Sequence, residues 1–122
     1  MTELAQRTCT PCRGGVPPLE PDAAKKFLKD VPGWELLEAH GAPARKIQRG
    51  YRFSDFKEAL AFVDGVGALA EAEGHHPDIA FGWGYATISL HTHKIKGLHE
   101  NDFIIAAKLD RMADAPGSAG QA

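Results

Sequence analysis

One long helix-forming stretch lies between two groups of short alternating segments, and this order limits the fold more than any other feature of the chain. Residues 54–73 carry apolar side chains at helical spacing, which predicts an amphipathic helix. Residues 44–53 and 85–92 alternate apolar and polar side chains, which is typical of strands with one buried face. This combination favours an antiparallel sheet covered by helices.

The complete pattern predicts three helices and four strands in the order α-β-β-α-β-β-α. We therefore expect an α+β fold, with a four-stranded antiparallel sheet and three helices packed on one face. Ser54 is the expected N-cap of the long helix, and Gly74 is its expected stop. The predicted helices are 20–29, 54–73 and 100–112, and the predicted strands are 34–39, 44–53, 79–83 and 85–92.

Length and charge exclude several classes of protein. With 122 residues, 43% of them hydrophobic, the chain fits one domain, which we place at 19–112, after a flexible leader at 1–18 and before a disordered tail at 113–122. The net charge of −2 provides no basic stripe, so we expect no direct binding of nucleic acid. No apolar run reaches the roughly 18 residues of a membrane span, and we expect a cytoplasmic protein.

The only two cysteines, Cys9 and Cys12, are separated by Thr10 and Pro11. Two cysteines are too few for a disulfide framework or a four-cysteine zinc site within one chain. A redox pair or half of a metal site between subunits stays open. The leader lacks the strand and helix that a thioredoxin-like motif needs, and we assign no role to the pair.

One ordered series of side chains carries the chemistry. It consists of Glu71, the motif His75-His76-Pro77, then His93 and Asp102. Imidazole both donates and accepts a proton near neutral pH, with an ordinary pKa of about 6.5, and carboxylates hold its tautomer. The series therefore predicts acid/base catalysis.

Local sequence predicts how these groups are held. Glu71 lies one helical turn before His75, so we expect the two to form a carboxylate–imidazole pair. Pro77 favours an extended backbone at His76. Asp102 falls in the first turn of the last helix, where backbone N–H groups favour a carboxylate that can orient an imidazole or hold a cationic substrate.

A pair of histidines in one predicted strand and a pair of glycines in the long predicted helix each allow two interpretations. His91 and His93 have the two-residue spacing that places both rings on one strand face, so a zinc site must be weighed against polar filling of the open face. Gly65 and Gly67 interrupt the long helix, each at a cost of up to about 1 kcal/mol relative to alanine. Close packing of another helix would explain them, and so would simple tolerance.

The motif Glu71-x3-His75-His76-Pro77, with Trp83, His93 and Asp102 at fixed distances, resembles the signature of the pterin-4a-carbinolamine dehydratases. The resemblance is ungapped from 71 to 102 and extends more loosely over 19–112. The leader around Cys9 and Cys12 is similar to that of some bacterial members.

The resemblance implies dehydration of 4a-hydroxytetrahydropterin to quinonoid dihydropterin, which recycles the cofactor of aromatic amino acid hydroxylases. It implies no cofactor and no metal, since the pterin is the substrate, and it implies a homodimer or homotetramer. His75 and His93 would transfer protons, His76 would bind substrate or serve the other stereoisomer, and Glu71 and Asp102 would orient the rings. The residues expected beside the pterin are Pro77, Thr92, Lys94 and Trp83.

Three positions depart from the animal members: Gly74, His99 and Asn101. His99 stands where serine often caps the last helix, so we expect weaker capping and a less firmly held Asp102. Two other function classes stay open, namely a coactivator-like protein-binding module without catalysis and a histidine-ligated metal lyase or hydrolase.

Overall fold

The computed structural model describes residues 4–6, 9, 17–38, 45–92 and 97–114. Their order is one 3-10 turn, Leu4–Gln6, followed by three helices and four strands in the predicted α-β-β-α-β-β-α order. The helices are α1 (Pro21–Leu28), α2 (Phe56–Glu73) and α3 (Glu100–Asp114), and the strands are β1 (Glu35–Glu38), β2 (Arg45–Arg52), β3 (Asp78–Gly82) and β4 (Tyr85–Leu90).

The predicted fold class is confirmed. The strands form one antiparallel sheet in the order β1-β2-β4-β3, and the helices cover one face. In β4 the buried side chains Ala86, Ile88 and Leu90 alternate with Thr87 and Ser89. The register pairs Leu90 with Ile47 of β2, so the central strands β2 and β4 direct alternate side chains to the core.

The N-cap of the long helix lies one residue later than expected. Asp55, not Ser54, is the N-cap, because its backbone is extended and its carboxylate accepts the Glu58 N–H at 2.9 Å. Ser54 instead donates its backbone N–H to the Glu58 carboxylate at 2.8 Å. The two acidic side chains therefore satisfy two backbone N–H donors around the start of α2.

A charged cluster attaches α3 to the sheet. Asp110 accepts hydrogen bonds from the Trp34 indole at 3.0 Å, from Arg49 at 2.5 Å and from the Tyr51 hydroxyl at 2.8 Å. This explains why the core face of β2 carries an arginine. Gly33 lies against the same guanidinium, where a Cβ atom would come within 2.8 Å of Arg49.

The paired glycines of α2 have different surroundings. A Cβ at Gly65 would lie 2.8 Å from the Met112 side chain of α3, so of the two open explanations close packing of another helix applies there. At Gly67 such an atom would meet nothing within 4 Å among the described residues. Close packing therefore explains one glycine of the two.

The expected leader includes residues that contact the domain. Leu4 and Ala5 are buried in the core next to α3. The division of the chain at residue 18 stays a prediction, as does a disordered tail, since 115–122 lies outside the described residues. No helix in the described part of the chain has the length and apolarity to cross a membrane.

Candidate active site

The C-terminal end of α2 turns the chain so that His75 faces the interior. Gly74 has a φ of 69°, a left-handed conformation that glycine adopts without steric cost. The backbone N–H groups of Gly74 and His75 both donate to the Ala70 carbonyl. The helix thus ends as predicted at Gly74, and His75 leaves it in a fixed direction.

His75 and Asp102 form a buried pair. Nε2 of His75 lies 2.6 Å from Oδ1 of Asp102, and the two side chains are 9% and 0% exposed. A carboxylate at this distance accepts an N–H from the ring, which leaves Nδ1 as the nitrogen free to exchange a proton. The small exposed fraction of His75 places the ring at the boundary of the core.

Two further donors hold Asp102. Its Oδ2 accepts the Thr92 hydroxyl at 2.8 Å and the backbone N–H of His99 at 3.0 Å. In turn, Nδ1 of His99 accepts the backbone N–H of Asn101 at 3.0 Å. His99 and Asp102 therefore form a reciprocal cap at the start of α3, of the kind that serine and glutamate commonly make.

The expectation that His99 caps poorly is wrong. An unprotonated imidazole nitrogen accepts a hydrogen bond as a serine hydroxyl does, and Nδ1 of His99 reaches the Asn101 N–H. Asp102 is consequently held by the cap and is not loosened by the loss of serine.

Glu71 pairs with the other histidine of the motif, so the predicted Glu71–His75 pair is wrong. Oε2 of Glu71 lies 2.6 Å from Nε2 of His76, and the side chains are 78% and 60% exposed. The one-turn spacing rule requires both residues to be helical, whereas α2 ends at Glu73. The left-handed Gly74 sends His75 inward and leaves His76 beside Glu71.

The expected substrate-binding residues are divided between two ends of a hairpin. Thr92 lies beside the buried pair. The Thr92 hydroxyl donates to Asp102, and the Thr92 backbone pairs with that of Gly97. Pro77 directly follows His76 and precedes β3. Trp83 is 70% exposed in the turn after β3, roughly 20 Å along the strand from Pro77, so this chain does not bring it to the buried pair.

His93 and Lys94 lie outside the described residues, and their expected roles stay predictions. The same holds for a zinc site that includes His93. Among the residues that the structure describes, no three His, Cys, Asp or Glu side chains come together as a metal-binding group.

Sequence reasoning missed how Asp102 is held. The signal was present, since Asp102 follows His99 by three residues at a helix start, which is the spacing of a capping box. The Thr92 contact had no such signal, because it joins the end of β4 to α3 and depends on the tertiary fold.

An imidazole oriented by a buried carboxylate lies next to a second imidazole that is accessible to solvent, an arrangement whose chemistry suits proton transfer. The family model described as "Pterin 4 alpha carbinolamine dehydratase" matches residues 17–112. The chain belongs to this family.

Relatives and solved structures agree with that assignment. A Methylococcus capsulatus protein named "Putative pterin-4-alpha-carbinolamine dehydratase" is 56% identical over 110 residues, 90% of this chain and 93% of that protein. A Brucella melitensis crystal structure described as a transcriptional coactivator/pterin dehydratase matches with a TM-score of 0.67 at 27% identity, over 76% of this chain and 95% of that one. A pterin dehydratase-like protein described as a RuBisCO assembly factor in the alpha-carboxysome matches at 0.56 and 26%, over 68% and 92%.

Proposed function

We propose that the chain dehydrates 4a-hydroxytetrahydropterin to quinonoid dihydropterin and water, in recycling of the cofactor of aromatic amino acid hydroxylases. The buried pair of His75 and Asp102, in a chain of the dehydratase family, is the observation that carries the proposal. No further cofactor is required, because the pterin itself is the substrate.

The reaction needs two proton movements. The C4a hydroxyl must gain a proton before the C–O bond breaks and water leaves, and the N5 hydrogen must be lost as the C=N bond forms. Positioned imidazoles typically contribute about 10² to 10⁴-fold through such transfers. His75 has the required form, since Asp102 occupies Nε2 and leaves Nδ1 for the substrate.

The remaining roles follow from the family. We assign the second proton transfer to His93, and substrate binding or the other stereoisomer to His76, with Glu71 as the orienter of His76. Pro77 and Lys94 would line the pterin. Thr92 acts through Asp102, and any contact of Trp83 with substrate would come from another subunit.

The test is dehydration of freshly generated carbinolamine by His75→Ala, His93→Ala and His76→Ala, with circular dichroism as the control for folding. We expect kcat to fall by about 10² to 10⁴-fold in the first two variants and less in the third. Full activity of both His75→Ala and His93→Ala would refute the proposal.

A chelator separates this reaction from the metal-dependent alternative. We expect dialysis against EDTA to leave the dehydration rate unchanged, because imidazole and carboxylate groups supply the proton transfers. Loss of activity together with stoichiometric zinc in the untreated protein would favour the lyase or hydrolase.

A second candidate function is protein binding through an apolar surface. Phe56, Leu60 and Ile79 are large side chains left exposed where α2 meets β3, and β3 is an edge strand of the sheet. Exposed apolar groups beside a strand edge are typical of interfaces. Two structural neighbours are described as a coactivator and an assembly factor.

We propose that this surface is primarily the contact between the subunits of a homodimer or homotetramer. Light scattering of the wild type and of Leu60→Glu measures the oligomeric state, with Lys57→Glu as a matched control on the same helix. We expect Leu60→Glu to be monomeric and the control to assemble. A wild-type monomer that captures a different protein would instead support the binding module.

A further inference from the structure

The N-terminal turn is attached to α3. Leu4 is 2% exposed, and the Lys108 ammonium group of α3 donates to the Ala5 carbonyl at 3.0 Å. Leu4 and Ala5 both belong to the hydrophobic core, so this turn has a stable position on the helix.

Cys9 connects the same segment to α2. Its backbone N–H donates to Oε1 of Glu73 at 2.9 Å, and its Sγ lies 3.8 Å from the Asn101 carbonyl oxygen. Oε2 of Glu73 lies 3.6 Å from Lys108. Glu73 therefore joins the N-terminal segment, α2 and α3 at one point.

Electrostatics agree with this geometry. The Cys9 N–H and the Lys108 charge hold the pKa of Glu73 below its ordinary value, against the opposing effect of burial. Burial, together with the Glu73 charge, raises the pKa of the Cys9 thiol to about 12. The thiol is thus neutral at physiological pH and suits packing better than redox chemistry.

These contacts lie at the two helix ends that carry the buried pair. Glu73 is the last residue of α2, two positions before His75, and Asn101 directly precedes Asp102. The contact between Gly65 of α2 and Met112 of α3 lies roughly 12 Å from Glu73 along α2, toward the N-terminus of that helix. The contacts of Cys9 and Glu73 are therefore much nearer to the buried pair than this helix contact is.

We propose that Leu4–Gln6 and Cys9 form a brace that positions His75 against Asp102, with Glu73 as its main positioning residue. Its effect on catalysis rests on the proposed function, whereas its effect on the geometry of the pair does not. A displacement of about 1 Å at a catalytic group can reduce the rate by about 10²-fold. We expect loss of the brace to lower kcat by about 10 to 100-fold and to change KM by less than about threefold.

The first experiment compares Cys9→Pro with Cys9→Ala. Proline removes the N–H that Glu73 accepts, whereas alanine retains it and removes only the thiol. We expect the kcat loss in Cys9→Pro and near wild-type kcat in Cys9→Ala. Equal kcat values in two folded variants would contradict the proposal.

The second experiment compares Glu73→Ala with Glu73→Gln, which decides the matter even if Cys9→Pro does not fold. Glutamine keeps an oxygen that accepts the Cys9 N–H, so we expect partial rescue of kcat relative to alanine. A loss of stability alone would lower the activity of both variants, without the fall in kcat at nearly constant KM that the brace predicts.

The readout independent of pterin is the NMR signal of the His75 ring N–H that bonds to Asp102. We expect a shifted or broadened signal in Cys9→Pro and Glu73→Ala, and a wild-type signal in Cys9→Ala. An unchanged signal in folded Glu73→Ala would overturn the brace. Full dehydration activity of both His75→Ala and His93→Ala would refute the proposed histidine catalysis, and the NMR result would still judge the brace.

Discussion

His75 and His76 are neighbours in the chain, and each lies 2.6 Å from a carboxylate oxygen. The two pairs differ in everything else. His75 and Asp102 are 27 residues apart and buried, and Asp102 has two more donors. His76 and Glu71 are five residues apart and face solvent.

The comparison shows that distance alone does not measure how firmly an imidazole is held. Water and salt screen the exposed pair, and such pairs contribute about 0 to 1 kcal/mol. The buried carboxylate is held by a hydroxyl and a helix-end N–H, so its ring partner has one orientation. One histidine of the motif is thereby fixed, and the other can adjust to a ligand.

The largest effect is expected from Asp102→Ala, because it removes the acceptor of three donors. Each buried donor left unsatisfied costs about 1 to 3 kcal/mol, so we expect the free energy of unfolding to fall by at least about 3 kcal/mol. Urea unfolding measures this free energy. Asp102→Asn, which keeps one oxygen, should have a stability between those of the wild type and Asp102→Ala. A loss below about 1 kcal/mol would remove the distinction between the pairs.

Thr92→Val tests one support of the buried pair. The valine has nearly the shape of threonine but cannot donate to Asp102, so we expect a loss of about 1 to 3 kcal/mol and a lower kcat. Thr87→Val, in the preceding strand β4 and on the opposite face from its buried side chains, is the matched control and should change stability by less than about 0.5 kcal/mol. Similar losses at both positions would show that Thr92 is not special.

Glu73 is intermediate between the buried Asp102 and the exposed Glu71. It lies two residues after Glu71, yet its side chain is only 13% exposed. Its pKa is lowered in the folded state by the Cys9 N–H and Lys108, so its stabilising effect is present above the ordinary value of about 4.5 and is lost as pH falls through the lowered value. We expect Glu73→Gln to be less stable than wild type at pH 7 and equally stable near the acid limit. A difference that persists in acid would indicate packing and not charge.

The smallest effect is expected from Glu71→Gln. Because the pair is exposed, the free energy of unfolding should change by less than about 1 kcal/mol, and the change should shrink in high salt. Thermal unfolding at low and high ionic strength measures it. A large loss that does not depend on salt would place Glu71 with the buried group.

Much of the fold could be predicted from periodicity. The alternation of β4, the apolar stripe of α2 and the stop at Gly74 all reflect local rules, and each is confirmed. Ser54 was the wrong N-cap because two acceptors stand side by side, and sequence does not decide which backbone is extended. Glu71 was assigned to the wrong histidine because helical spacing was carried past the end of α2.

The site was less predictable because its contacts join distant elements. Asp102 was expected to orient an imidazole, but sequence did not reveal that His75 is the ring it meets. Thr92 and the contacts of Cys9 with Glu73 depend on how α2, β4 and α3 meet. The roles of His93 and Lys94 stay predictions from the family.

The reciprocal cap of His99 and Asp102 couples two properties that are usually separate. Fraying of the first turn of α3 removes the carboxylate from His75, so the population of the frayed state is also the population in which the buried pair is broken. Amide hydrogen exchange at residues 99–102 therefore reports how often the pair of His75 and Asp102 is broken. A ligand that tightens the ring contact will slow that exchange, although it touches none of those amides.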